Sequence, residues 1–323
     1  MPEAENSPDA YAHIGILGAG AWGMALAHVA ARAGRAVTLW SRNPLSAEAG
    51  VSPASGVGVT RNREIVAGAD AILVVVPAQR VREALAGFKP MSGAPLVICA
   101  KGIEHTTGLL MTEVLTETVY DAEPAILSGP SFAQDVVAGL PTAVTIAARA
   151  PIARRLQASL GHATFRPYAS EDLPGVALGG AAKNVYAIAC GIVIGLGLGE
   201  SARAGLLARS FAELCRLAQA FGARNDTLMG LSGFGDLVLT ATSPASRNFS
   251  FGLALGHGYP LAQLRAPGAP LAEGVETAPA LVARAGRLGI ELPVAHAVMD
   301  ILAGGIAPAE AVPRLMARPF RME

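Results

Sequence analysis

The sequence predicts an α/β chain, with an amino-terminal Rossmann-type doubly wound sheet followed by a mostly α-helical carboxyl-terminal domain. Three observations carry that expectation. A strand, a glycine turn, a helix and a second strand follow one another within about 30 residues, which is the βαβ unit of such sheets. Short, continuously apolar runs then recur as far as residue 168. Beyond Val176 the strand signal fades into long alanine- and leucine-rich segments. At 323 residues the chain also exceeds the size at which one core usually stops growing. The expected division is 11–172 for the sheet and 173–323 for the helices.

Taken in order, residues 13–17 (HIGIL) form the first strand, the glycine turn spans 18–23, and 24–32 form a helix ended by Gly34. Residues 37–40 (VTLW) supply the second strand. Further strand candidates are 71–76, 96–100, 125–127, 143–147 and 164–168, whose apolar character predicts parallel strands covered on both faces. Helical connectors are expected at 79–86 and 109–118, and Leu173-Pro174-Gly175 reads as punctuation that interrupts the pattern. The apolar run 185–199 falls short of the roughly 20 residues that cross a bilayer. Lys183 precedes it and Glu200 and Arg203 follow, so it reads as a buried helix. Helical spacing recurs over 202–220, 275–288 and 294–302.

Composition narrows the function classes. Hydrophobic residues make up 52% and charged residues 15%, which excludes a disordered chain. Formal net charge is zero, so no broad field would hold nucleic acid or an anionic membrane, and an anionic substrate must be caught locally. Cys99, Cys190 and Cys215 are widely spaced in apolar runs, as expected of free thiols in a reducing cytoplasm; no metal site is expected. The polar, acidic first ten residues are the reverse of a signal peptide.

In the glycine turn, Gly18 permits the bend, Gly20 lets a pyrophosphate approach the backbone, and Gly23 lets helix and strand pack closely. The helix amino terminus offers unpaired N–H groups to the phosphates. Proteins that prefer NAD commonly carry an acidic residue at the end of the second strand, and here the sequence is Trp40-Ser41-Arg42-Asn43. Ser41 and Arg42 suit a 2′-phosphate, so NADP or NAD is expected with NADPH favoured. The alternative is a solvated loop arginine.

Several polar residues interrupt apolar segments. Lys183-Asn184 lies inside an apolar helix, where the lysine is either an acid/base of depressed pKa or half of a structural ion pair. Asp236 follows Gly233-Phe234-Gly235, where turn chemistry is the ordinary explanation. Ser246-Arg247-Asn248 suits a phosphate, because a guanidinium fork matches its oxygens. Lys101-Gly102 and the Ser128-Gly129-Pro130-Ser131 turn close two strands, at the carboxyl ends where such sheets bind ligands. The bland alternatives are an exposed lysine and a helix cap at Ser131.

As an ordered set these motifs resemble the bacterial NAD(P)-dependent glycerol-3-phosphate dehydrogenase family, from about His13 to beyond Leu302. The matching elements include Gly-Ala-Gly-x-Trp-Gly, Val-Val-Pro77, Lys101-Gly102, Ser-Gly-Pro-Ser-Phe-Ala133, Gly-Gly-Ala-Ala-Lys183-Asn184, Gly-Phe-Gly-Asp236-Leu, Ser-Arg247-Asn248 and Glu273-Gly274. The resemblance implies reversible hydride transfer between NAD(P)H and dihydroxyacetone phosphate, giving sn-glycerol 3-phosphate for glycerophospholipid synthesis. It implies that Lys183 is the acid/base catalyst, oriented by Asp236. Lys101, Gly129, Ser131, Asp236, Ser246, Arg247 and Asn248 would form the substrate site, joined by Asn184 and Thr240 through similarity to the eukaryotic branch. Ala21, Trp22, Arg42, Lys101, Ala133, Arg247, Leu271 and Glu273 would contact the cofactor. The implied partner is a small phosphorylated triose and at most a second copy of the chain, with no nucleic acid and no membrane insertion. Two rivals share the fold: a related dehydrogenase for a hydroxy acid, sugar acid or acyl-CoA, and a catalytically silent nucleotide sensor. Three departures stand out. The segment 44–60 lacks the family's Tyr-Leu-Pro-Gly stretch, Ser201 replaces the usual asparagine before Ala202-Arg203, and the tail from 311 is variable.

Overall fold

The computed structural model describes residues 9–43 and 54–317. Eight strands form one sheet in the order β3-β2-β1-β4-β5-β6-β7-β8. They are β1 (His13–Leu17), β2 (Ala36–Trp40), β3 (Val57–Thr60), β4 (Ala71–Val74), β5 (Pro95–Ile98), β6 (Glu123–Ser128), β7 (Thr142–Ala147) and β8 (Phe165–Ser170). The first six are parallel, and the strand order reverses beside β1, between β1 and β4. Such a switch point opens a crevice at the strands' carboxyl ends.

Helices α1 (Ala21–Arg32), α2 (Arg63–Ala67), α3 (Val81–Leu85), α4 (Met111–Thr118), α5 (Ala133–Val137) and α6 (Ala150–Leu160) connect the strands. Alternate strand residues feed opposite cores. Ala71, Leu73 and Val97 pack with α1, α5 and α6, whereas Ile72, Val74, Leu96 and Ile98 pack with α2, α3 and α4. Both faces are therefore covered, which is why these strands read as unbroken apolar runs.

Three sequence expectations need correction. β7 pairs antiparallel to β6, and β8 runs parallel to β7, so neither joins the parallel set. β8 is an edge strand with Arg166 and Tyr168 exposed and Pro167 in its middle, a position where a missing N–H is tolerated. β3 falls inside the stretch expected to be only loop; it is short and half exposed, so no apolar run announces it. Residues 44–53 of that stretch lie outside the described residues. Finally, Leu173-Pro174-Gly175 starts a helix instead of interrupting one. Asp172 caps it by accepting the Gly175 N–H at 2.9 Å, and proline in the first turn lacks a donor that would be orphaned there anyway.

That helix, α7 (Leu173–Gly195), is the axis of the second half, buried from Gly175 to Val193. Around it lie α8 (Gly199–Ala220), α9 (Asn225–Met229), α10 (Asp236–Thr242), α11 (Arg247–Gly256), α12 (Leu261–Leu264), α13 (Gly274–Arg287), α14 (Pro293–Leu302) and α15 (Pro308–Met316). By length and composition α7 resembles a membrane span, yet 94% of its apolar window is buried inside the fold. Its tightest neighbour is α11, where Gly191 and Gly195 face Gly252 and Gly256. A Cβ on Gly191 would sit 2.1 Å from the Phe249 carbonyl oxygen, and one on Gly252 the same distance from that of Ile188. Only glycine lets the two backbones meet, and this meeting holds α11 beside the polar residues of α7. Cys99, Cys190 and Cys215 are free thiols, the last of them half-buried.

Candidate active site

A cleft of about 1240 Å³ runs from the carboxyl ends of β1, β2, β4 and β5 to the junction of α7, α10 and α11. Its volume exceeds the roughly 300–1,000 Å³ of ordinary small-ligand pockets. One end is the glycine turn. Gly18 has φ +120°, a Cβ on Gly23 would overlap the Gly18 carbonyl oxygen, and space above Gly20 is open for 4 Å. Gly20 caps α1 without a side chain, and the first helical bond is Met24 N–H to the Gly20 oxygen, so the amides of the first turn keep no helical partner. The Trp22 indole N–H is buried and unpartnered as well. A bare glycine cradle with orphaned donors is what a dinucleotide pyrophosphate requires, so these residues fit that group.

Further along, the close of β2 shapes the adenosine end. Arg42 is exposed on the cleft and makes no hydrogen bond or ion pair among the described residues. The Ser41 hydroxyl donates to the Asn43 carbonyl at 2.6 Å, so Arg42 rather than Ser41 is the donor open to a 2′-phosphate. Arg63 and Arg80 also line this end. Sequence reading missed both, because isolated arginines at helix starts carry no pattern.

The opposite end is a buried charge cluster. Asp236, only 1% exposed, accepts from Lys183 Nζ at 2.5 Å through Oδ1 and from Lys101 Nζ at 2.8 Å through Oδ2. Lys183 also donates to Thr240 Oγ1 at 2.9 Å, and Lys101 to the Gly129 carbonyl at 3.0 Å. Asp236 is thus not in a turn; it opens α10 directly after a π-helical turn over Leu231–Gly235, and Thr240 stands one turn further along the same face. Burial pulls the Lys183 ammonium down to about 7; Asp236 opposes the shift and Lys101 adds to it. Lys183 is thus ion-paired and its pKa is depressed, so the structural pairing does not exclude the acid/base reading. Burial likewise raises the Glu273 carboxyl above its usual range, with Arg247 opposing.

Most of the remaining expected residues converge on this cleft. Gly18, Gly20, Ala21, Trp22, Ser131, Ala133, Asn184, Thr240, Ser246, Arg247, Asn248, Leu271 and Glu273 all line it. Gly23 and Gly129 do not; they act as backbone, Gly23 in the tight turn and Gly129 through the carbonyl that holds Lys101. Ser131 is not the helix cap, because its hydroxyl donates to the Gly129 carbonyl at 3.1 Å while Phe132 occupies the cap position of α5. Ser246 is a cap, accepting from Phe249 N–H at 3.2 Å, which sets Arg247 at the first position of α11. Asn184 and Asn248 are hydrogen-bonded to each other at 2.9 Å. Ser201 lies exposed in the first turn of α8 and does not line the cleft, so its replacement of asparagine makes no contact in the cleft.

Known proteins place the chain. Residues 172–313 match the carboxyl-terminal model of NAD-dependent glycerol-3-phosphate dehydrogenase, and residues 13–55 and 50–153 match its amino-terminal model. The chain is 54% identical to "Glycerol-3-phosphate dehydrogenase [NAD(P)+]" of Bradyrhizobium sp. (strain ORS 278), over 96% of this chain and 98% of that one. It is 50% identical to the protein of the same name from Rhodospirillum rubrum, over 96% and 94%. The crystal structure of glycerol-3-phosphate dehydrogenase from Coxiella burnetii superposes with a TM-score of 0.90 at 35% identity, covering 96% of this chain and 100% of that one.

Proposed function

The chain belongs to the NAD-dependent glycerol-3-phosphate dehydrogenase family, and from that premise we propose how it interconverts dihydroxyacetone phosphate and sn-glycerol 3-phosphate with NADPH or NADH. It is an oxidoreductase acting on a CH–OH group. The observation that carries the mechanism is a lysine of depressed pKa, fixed by Asp236, at the far end of a dinucleotide-sized cleft.

When bound, the nicotinamide cofactor supplies a hydride to the substrate's carbonyl carbon or accepts one from the alcohol carbon. Protonated Lys183 donates its Nζ proton to the developing alkoxide during reduction, and neutral Lys183 removes the hydroxyl proton during oxidation. A pKa near ambient pH serves both directions. Asp236 and Thr240 fix the direction of Nζ. Lys101 stands on the other oxygen of Asp236 and lines the cleft, where it meets the substrate. Arg247, with Ser246 holding its helix start, takes the phosphate in a chain whose net charge gives no general attraction. Asn184, Asn248 and the Ser131 turn complete the substrate wall. Gly18 to Gly23, Ala133, Leu271 and Glu273 border the cofactor, and Arg42 favours NADPH over NADH.

On this reading 11–172 carry most of the cofactor site and 173–323 most of the substrate site and the proton chemistry, with Lys101 and the Ser131 turn reaching across to the substrate and Leu271 and Glu273 to the cofactor. The product would feed glycerophospholipid synthesis in the cytoplasm, and a homodimer is the assembly the reading allows. The test is oxidation of NADPH and NADH, followed by absorbance, with dihydroxyacetone phosphate and a panel of keto acids. Turnover with the triose phosphate, at lower KM for NADPH, is expected; turnover with a keto acid alone, or with nothing, rejects the proposal.

A further inference from the structure

Two buried amides, Asn184 on α7 and Asn248 on α11, complete a hydrogen-bonded path between the halves of the cleft. Asn184 Nδ2 donates to the Lys101 carbonyl at 3.0 Å. Asn248 Nδ2 donates to Asn184 Oδ1 at 2.9 Å, and Asn248 Oδ1 accepts the Gly274 N–H at 2.9 Å. The path begins at a backbone donor and ends at a backbone acceptor. Neither amide can therefore be turned over without setting like groups against each other, and the orientation of both is fixed. Asn184 and Asn248 are 4% and 8% exposed, so a broken link leaves buried groups unpaired.

The path nearly closes into a ring. Gly274 is pressed onto α7, where a Cβ would lie 2.5 Å from the Asn184 carbonyl oxygen. Next to it, the Ala78 N–H of the segment that follows β4 favours the ionised form of the Glu273 carboxyl, against the burial that raises its pKa. Ala78 in turn touches Gly102, where a Cβ would come within 2.7 Å of the Ala78 Cβ. Gln79 ties the same two segments, donating to the Ile103 carbonyl at 2.8 Å and accepting the His105 N–H at 2.9 Å.

We propose that the Asn184–Asn248 pair is a positioning relay that holds the Glu273 segment of the cofactor site in register with the Lys101–Asp236–Lys183 cluster. Asn248 then acts on the cofactor through Gly274 and Glu273, in addition to any contact with substrate. The inference rests on the reading of the cleft given above, and binding of NADPH in the absence of substrate separates the two. A residue that only contacts substrate has no reason to alter that binary complex.

The experiment measures the NADPH Kd by calorimetry without substrate, and kcat and KM with both substrates, for the wild type, Asn248→Leu and Asn248→Asp. Leucine is close in size and removes both bonds, whereas aspartate keeps an acceptor for the Gly274 N–H. Asn248→Leu is expected to weaken binary NADPH binding about tenfold, the cost of one unpaired buried group. Asn248→Asp is expected to recover NADPH binding to within about twofold while kcat stays low, because the link to Asn184 and Lys101 remains broken. If the leucine variant does not fold, the aspartate variant still decides, since NADPH binding weakened in parallel with kcat would overturn the relay. Binary NADPH affinity unchanged in Asn248→Leu, with only the KM for dihydroxyacetone phosphate raised, would also overturn it. Failure of the wild type to turn over the triose phosphate would count against the function and not against the relay.

Discussion

At one end of the cleft a carboxylate that is 1% exposed sits between two ammonium groups, one from the sheet and one from the central helix; at the other, Arg42 stands exposed at the close of a strand. The cluster carries a desolvation cost at every member and persists because each charge meets another. Arg42 carries no such cost, since water solvates it until an anion arrives. Substitutions in the cluster should therefore stop the chemistry, whereas substitutions at Arg42 should only change which cofactor is used.

The comparison breaks most visibly at Lys183. Lys183→Ala is expected to lower kcat by at least about 10² to 10⁴, the usual worth of a placed proton donor, with NADPH binding retained. Asp236 keeps Lys101 as a partner, so the variant should fold. Steady-state kinetics alongside NADPH titration would show it, and an active variant removes Lys183 from its role. Arg247→Ala comes next: losing a charge-assisted contact to phosphate should lower kcat/KM for dihydroxyacetone phosphate by about 10- to 100-fold. Unchanged kcat/KM would move the phosphate elsewhere.

The scaffold between the two ends can be probed at Gly191. Gly191→Ala forces a methyl against the Phe249 carbonyl and should destabilise the fold by about 1–3 kcal/mol, read from urea denaturation. The smallest effect is expected at Arg42, where Arg42→Ala should raise the KM for NADPH about tenfold and leave that for NADH within about twofold. Equal changes for both cofactors would assign Arg42 to the shared phosphates instead.

The same contrast explains what the sequence made legible. Parallel strands covered on both faces announce themselves as apolar runs, so β1, β2, β4, β5 and β6 could be read directly. β7 and β8 are legible as strands but not in their direction, since an apolar run does not encode the sense of its pairing, and β3 is not legible at all, because a short, half-exposed edge strand resembles loop in composition. Pro174 and Gly175 misled for a related reason: both residues break a helix in its middle and suit its first turn. In the site, Lys183 stood out as a charge inside an apolar helix, yet nothing local says that its partner lies 53 positions away on α10. Asp236 looked like turn chemistry because the glycines before it form a π turn, which spacing alone does not distinguish from a loop. The resemblance to a family supplied the roles, and long-range packing of α7 against α10 and α11 supplied the distances.

The central claim, that Lys183 is the proton donor in one direction and acceptor in the other, is tested most directly by the pH dependence of kcat/KM measured both ways. Burial lowers its pKa to about 7, so the ammonium predominates below that pH and the amine above it. Reduction of dihydroxyacetone phosphate needs the ammonium and should fall as pH rises through about 7. Oxidation of sn-glycerol 3-phosphate needs the amine and should rise across the same interval. Limbs of opposite sign sharing one midpoint are the predicted result; profiles that move in the same direction, or that persist in Lys183→Ala, would contradict it.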